Sequence, residues 1–406
     1  MVVGRHLVDA EGLADRQLQL DRARTRRFPH LLARKLERMT ASPLGFLRGS
    51  APLFYEVLAN DRDLASGADG EGWLVGDMHL ENFGAYRPDP RGEARDERSA
   101  VFDLNDFDDA VVGPWRFDLL RLATSVLLAG RELGADGRLA LDLVDRLLAA
   151  WTRASSGHTR LPPRPRPVKR LVAQVGGRSR SELVDARTSV VRGRRRFARG
   201  PRYADLPREV AASVPSALGA YVRALPATDA PSEGELEVVD VAHRIAGTGS
   251  LGGLRIAVLV RNERTGSLSI FDMKEQGAPS AAPLLRAPRR LPPAERVVAA
   301  FRACVARPPK MLGTTRLLGA SMIVRKLTPQ EDRLAYADLR DRDLPALAGY
   351  LGALLGAGHA RGATRTAEWT ASDLAHLRAN AIRMAGLHEA VYLALCDRAR
   401  EVVHRG

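Results

Sequence analysis

Apolar residues over the first sixty positions recur at helical spacing, through Leu31, Leu32, Leu36 and Met39, and predict helix. Ser42-Pro43 breaks that pattern, and the run from Leu53 and Phe54 to Leu58 predicts another helix. Two short strand-like runs follow, Trp73 to Val75 and Ala100 to Phe102, and each leads into acidic residues. Beyond Gly113-Pro114 the pattern predicts amphipathic helices over about 115–132 and 137–154. Residues 156–232 lose the periodicity to Pro- and Arg-rich stretches and predict a linker or loosely folded insertion. From Leu236 the pattern alternates. Leu254–Val260 and Leu268–Lys274 around Thr265-Gly266 predict an antiparallel hairpin within a sheet. A helix over Pro293–Val305, a strand over Ala320–Leu327 and helix throughout 343–406 complete the expected elements.

The 406 residues suffice for two or three domains' worth of core. Hydrophobic residues make up 45% and charged residues 27%, with no run of eighteen uncharged apolar residues, which excludes a helical membrane span. Met1 to His6 carry an early charge and no apolar signal-peptide core, so a cytoplasmic protein without membrane contact is expected. Cys304 and Cys396 stand apart, outside any metal-ligand spacing, and read as core residues. Of the net charge of +14, residues 151–210 hold +12, from 16 Lys and Arg against 4 Asp and Glu. Such a segment, around 160–200, could contact nucleic acid or an acidic partner weakly; the plainer alternative is a solvated insertion.

Three constellations carry candidate chemistry. Asp77 and Asn82 lie five apart in a loop after a strand, a pattern that supplies a base for a hydroxyl and an oxygen ligand for Mg²⁺. An Asx-turn is the alternative for that loop. Asp103, Asp106, Asp108 and Asp109 crowd the end of the next strand, and such crowding is unfavourable without a hard cation such as Mg²⁺ or Mn²⁺. A solvated acidic turn is the alternative. Gly247, Thr248, Gly249, Ser250 and Gly252 form a G-x-G-x-x-G turn that precedes a strand, which suits a flap between strands better than a Rossmann turn. Lys274, one of only five lysines, lies on the second strand of the hairpin that follows, where a kinase holds phosphates.

Together Phe46-Leu47-Arg48-Gly49, Gly76-Asp77 through Gly84, Phe102 through Asp108 and Gly113 through Asp118-Leu119 resemble the bacterial family catalogued as domain of unknown function 2252. The same motifs are similar to the aminoglycoside-phosphotransferase branch of the protein-kinase-like superfamily. That resemblance implies a two-lobe kinase-like α+β fold, ATP and Mg²⁺ as cofactors, and γ-phosphate transfer to a hydroxyl of an unknown, small-molecule substrate. It implies Asp77 as the catalytic base with Lys274, Asn82 and Asp106 as metal ligands, and Asp118 as a brace for the catalytic loop. Asp108 and Asp103 are less favoured metal carboxylates. Glu295 is the natural partner for Lys274, with Glu275 as the rival, and Arg325 is a candidate phosphate contact or a plain sheet-surface arginine.

Here the glycine turn and lysine follow the catalytic loop instead of preceding it. A circular permutation is therefore expected: 1–155 as the catalytic-loop half of the large lobe, 156–232 as linker, 233–328 as the small nucleotide-binding lobe, and 329–406 returning to the large lobe. Leu354 to Gly362 resembles the helix end that leads into a kinase catalytic loop, although His359 would equally suit a helix C-terminus. Two other functions use the same residues: a catalytically silent nucleotide-binding scaffold with a basic docking segment, and a nucleotidyltransferase.

Overall fold

The computed structural model describes residues 9–90, 100–157, 160–230, 236–285 and 291–404; Met1 to His6 lie outside them. Asp9 caps α1 (Ala10–Thr25) by accepting from the Gly12 amide. After α2 (Leu31–Thr40), Ser42 accepts from the Gly45 amide and Pro43 occupies the first turn, which starts α3 (Pro43–Gly49). Next come α4 (Ala51–Asn60), α5 (Arg62–Ala65) and the short strands β1 (Glu71–Leu74), β2 (Phe83–Tyr86), β3 (Val101–Leu104) and β4 (Val111–Pro114). In α6 (Arg116–Glu132) every residue from Phe117 to Gly130 is buried, so this helix is central. It packs with α7 (Gly137–Ser155) and the short strands in the largest apolar cluster.

The stretch expected as a linker or loosely folded insertion carries regular elements. Residues 160–230 form α8 (Arg166–Gly176), α9 (Arg180–Asp185), the hairpin β5 (Thr188–Val191) and β6 (Arg194–Phe197), β7 (Tyr203–Ala204) and α10 (Arg208–Ala224). The physical reason is a sparse but regular apolar stripe: Val210, Val214, Leu218 and Tyr221 place one face of α10 on the sheet. Each such side chain contributes about 1.5–3 kcal/mol when buried.

That sheet is antiparallel and six-stranded, ordered β11-β12-β10-β9-β8-β7. It combines β7 with β8 (Leu236–Arg244), β9 (Arg255–Asn262), β10 (Leu268–Glu275), β11 (Gly313–Leu317) and β12 (Ala320–Lys326), and α11 (Pro293–Cys304) precedes β11. One face, through Ile256, Val258, Phe271 and Met273, packs on α10. The other is apolar only at its outer end, where Ala257, Leu259 and Ile270 meet Val184 and Phe197. Its inner end is charged.

From β12 the chain passes β13 (Asp332–Arg333), which pairs with β2, and enters α12 (Leu344–Arg361). The C-terminal region is not helical throughout: β14 (Ala363–Arg365) interrupts it before α13 (Ala371–His404) and pairs with β1. Cys304 is buried as expected, and burial pushes its thiol up to about 12; Cys396 is only half-buried. Among the described residues no helix is long and apolar enough to cross a membrane.

Candidate active site

The loop after β1 is fixed from behind. Asp118, wholly buried on α6, accepts from the Val75 and Gly76 amides at 2.7 and 2.9 Å. His359, near the end of α12, lies 3.1 Å from the same carboxylate and accepts from Trp151 Nε1 at 3.0 Å. Its place is thus a buried bracing contact as well as a helix end. Gly76 has φ +86°, and a Cβ there would collide with the Asp109 carbonyl, so the acidic loop can press directly on this turn.

Asp77 therefore projects from a rigid turn. Arg121, buried on α6, donates Nε to its Oδ1 at 2.8 Å and anchors its own Nη2 on the Leu47 carbonyl at 2.6 Å. Asp77 retains 21% side-chain exposure at the cavity wall. Loss of water still pushes its carboxyl up to about 7, against the pull of Arg121 and with help from Asp109 and Asp106. Asn82 is buried and donates Nδ2 to the Asp77 carbonyl at 2.5 Å, which turns its amide oxygen the other way. His79 is buried and held well below its ordinary pKa by burial and by Arg48, so it is neutral, and its Nδ1 accepts from the Glu81 amide.

The acidic loop divides. Asp103 does not reach the cavity: it is buried on β3, where it accepts from its neighbour's Leu104 amide, and burial raises it to about 6. β3 ends at Leu104, so Asp103 is held on the strand while the other three carboxylates lie in the loop beyond it. Asp106, Asp108 and Asp109 all line the cavity. Lys274 forms an ion pair with Asp108, and Gln276 donates to the same carboxylate at 2.9 Å. Asp109 accepts from Ser280 N and Oγ at 2.8 and 2.9 Å. Phe107 packs against Phe301 of α11 with centroids 4.4 Å apart. Arg296 of α11 donates to the Asp108, Ala110 and Gly277 carbonyls.

Glu295 does not meet Lys274. It is exposed on α11, while its neighbour Arg296 is buried. Glu275 is occupied too, accepting from the Leu254 amide at 3.0 Å and lying 3.5 Å from Arg27. In the glycine turn, Gly247, Thr248, Gly249 and Ser250 line the cavity. Gly252 does not: its φ of +97° lets it sit against α1, where a Cβ would lie 2.6 Å from the Arg24 carbonyl. Lys35 donates to the Thr248 and Gly249 carbonyls at 3.4 and 3.3 Å, and Arg38 to the Gly247 carbonyl. Arg325 lines the cavity from a face of the sheet, 3.2 Å from Glu331.

A single cavity of about 950 Å³ thus collects Asp77, Asn82, Asp106, Asp108, the front of the glycine turn, Lys274 and Arg325. A family described as an uncharacterized protein conserved in bacteria, domain of unknown function 2252, matches residues 27–397. The chain belongs to this family. No curated protein matches it, and no solved structure matches it.

The match spans every residue of the cavity named above, so the site is part of this DUF2252 domain. Among the described residues no three His, Cys, Asp or Glu side chains group to hold a metal alone. Magnesium needs no such cage, since it keeps several waters and takes one or two carboxylates plus phosphate oxygens. The donors fit that mode: Asp106 is exposed at the cavity, has no ion-pair partner among the described residues, and only accepts from the Asp108 amide at 3.4 Å.

Sequence reasoning missed Arg121, Arg296, and the group of Asp272, Arg244 and Arg255. Arg121 was findable, three residues after Asp118 on one helix face. Asp272 was also findable, two before Lys274 on one strand face. Arg296 carried no signal beyond lying next to Glu295.

Proposed function

We propose that this protein is an ATP- and Mg²⁺-dependent phosphotransferase with a circularly permuted, two-lobe kinase-like fold, acting on a hydroxyl of a small molecule. The observation that carries this reading is the ion pair between Lys274 and Asp108, two residues from Asp106, in the cavity that also holds Asp77. Parts about 170 residues apart in the chain meet in one cavity, as the reading requires. Permutation is supported by the C-terminal region: α12 ends beside Asp118, and β14 pairs with β1, the strand that feeds the catalytic loop.

In this mechanism Asp77 accepts the proton of the acceptor hydroxyl, whose oxygen attacks the γ-phosphorus while the bond to the β-phosphate oxygen breaks and ADP leaves. A pKa near 7 suits a general base at neutral pH. Lys274 steadies the phosphates, and Arg121 orients Asp77. Asn82 and Asp106, with Asp108 beside them, would hold Mg²⁺, which neutralises phosphate charge when bound.

Thermal unfolding with and without Mg²⁺-ATP tests the reading on the wild type, Lys274→Ala and Asp106→Asn. Ligand at about 100 Kd stabilises by roughly 2.7 kcal/mol, so the wild type should shift and both variants should lose the shift. A wild type that does not respond over an adequate ATP range removes the reading's main support.

One observation favours the silent scaffold. Kinases require the lysine to pair with a glutamate of the adjacent helix, and here Lys274 pairs with Asp108 while Glu295 is exposed. ATP labelled at the γ- or α-phosphate separates phosphoryl transfer, nucleotidyl transfer and no turnover.

A further inference from the structure

The cavity holds more positive charge than Lys274 accounts for, and the excess lies at the inner end of the sheet. The kinase pattern V-A-I-K places an apolar alanine two residues before the lysine. Here that position is Asp272, on the same strand face as Lys274. The register sets Arg325 opposite Asp272 and Arg255 opposite Lys274. Asp272 receives Arg255 at 2.6 Å and lies 2.8 Å from Arg244, while Arg325 is 3.2 Å from Glu331. Three guanidinium groups therefore share two carboxylates. Arg244 remains undersatisfied: its buried Nε and Nη1 make no hydrogen bond, Nη1 lying close to Asp272 but out of line.

Two more arginines line the same cavity from the segment first read as a linker. The Arg187 side chain donates to the Tyr203 hydroxyl at 3.4 Å, and among the described residues neither it nor the exposed Arg202 forms an ion pair. Planar guanidinium forks with free donors suit a phosphate, which they grip in bidentate fashion.

We propose that the inner end of the cavity is a second anion subsite, in which Arg244, Arg255 and Arg325, with Arg187 and Arg202 on the same cavity, take a phosphate group of the bound ligand. The ligand then presents phosphates both at Lys274 and at the arginines. This rests on the phosphotransferase reading in assigning the cavity a phosphorylated ligand. The same chemistry has two sources: an inorganic polyphosphate, or a nucleotide whose phosphate chain runs toward the arginines.

Calorimetric titration of the full chain with Mg²⁺ and inorganic tripolyphosphate, ATP or adenosine tests it, on the wild type, Lys274→Ala, Arg325→Gln and Arg202→Gln. Tripolyphosphate is expected to bind the wild type, and each arginine variant to weaken it about tenfold, the loss of one charge-assisted hydrogen bond. Adenosine is expected not to bind. Arg202 is exposed, so its variant folds whatever becomes of the Arg325 variant. ATP binding with the same arginine dependence identifies a nucleotide; tripolyphosphate binding alone identifies a polyphosphate. Tripolyphosphate or ATP affinity that depends on Lys274 and is unchanged in both arginine variants overturns the subsite and leaves the phosphotransferase reading standing. Adenosine binding that is lost in the arginine variants also overturns the subsite, since the guanidinium planes then hold a base. Binding of neither ATP nor tripolyphosphate to the wild type removes both.

Discussion

Asp77 and Asp272 face one cavity from opposite walls, yet their carboxyls move in opposite directions. Burial pushes both upward. On the helical wall Asp77 has one guanidinium, Arg121, and two acidic neighbours, and it ends near 7. On the sheet wall Asp272 is more deeply buried, but Arg244, Arg255 and Arg325 together outweigh the loss of water and hold it well below the usual carboxylate range. The number of cations in reach decides the outcome, and depth alone does not. One wall stores a carboxyl ready to exchange a proton; the other stores fixed charge.

The strongest way to break this contrast is Asp272→Ala, which leaves three guanidinium groups crowded and partly unpaired. Removing one partner of a buried ionic group costs about 3–5 kcal/mol, so denaturant unfolding should show a loss of that order. A loss under 1 kcal/mol would mean the network is fully hydrated. Next comes Asp77→Asn, which should keep the fold and lower turnover by about 10²–10⁴-fold, the usual worth of a positioned base. Mg²⁺-ATP binding should persist in that variant, and unchanged turnover would remove Asp77 from the chemistry.

The pH dependence sharpens the comparison. Because the folded-state pKa of Asp77 is raised from 3.8 to about 7, the folded state binds its proton more tightly than the unfolded chain. Its contribution to stability is present at low pH and falls as pH rises from about 4 through 7. Asp77→Asn should therefore gain stability relative to the wild type on going from pH 4 to pH 8, while wild-type turnover should rise through pH 7. Asp272 is depressed, so its contribution is present above about pH 4 and is lost as pH falls below that. Paired unfolding curves at pH 3, 5 and 8 check both signs.

The smallest expected effect is that of Arg333→Ala. Its ion pair with Glu81 is 2.9 Å long but nearly half exposed, and such pairs contribute about 0–1 kcal/mol. A larger loss would make the rim of the Asp77 loop a structural element in its own right.

Much of this site was legible because its parts are local. The loop at Asp77 and Asn82 and the acidic run each announce themselves within ten residues, and the hairpin carrying Lys274 within the 21 residues from Leu254 to Lys274. The partner of Lys274 was not legible, since local spacing offered Glu275 and Glu295 while the chain brings in Asp108 from 166 positions away. Residues 160–230 were misjudged because proline and arginine mask short elements whose apolar contacts lie on a sheet formed later in the chain. Val184 and Phe197 meet Leu259 and Ile270, which no local periodicity reveals.

The pairing of β1 with β14 joins Gly72 to Ala363. A chain emerging from a ribosome at about 5–20 residues per second would wait roughly 15–60 s between making one partner and the other. For most of that interval Asp118 is without His359, and the Asp77 loop is without the strand beside β1. The nascent chain would thus carry every residue of the Asp77 loop early and complete the loop's surroundings only near the end of synthesis, so that assembly of the cavity is timed by elongation.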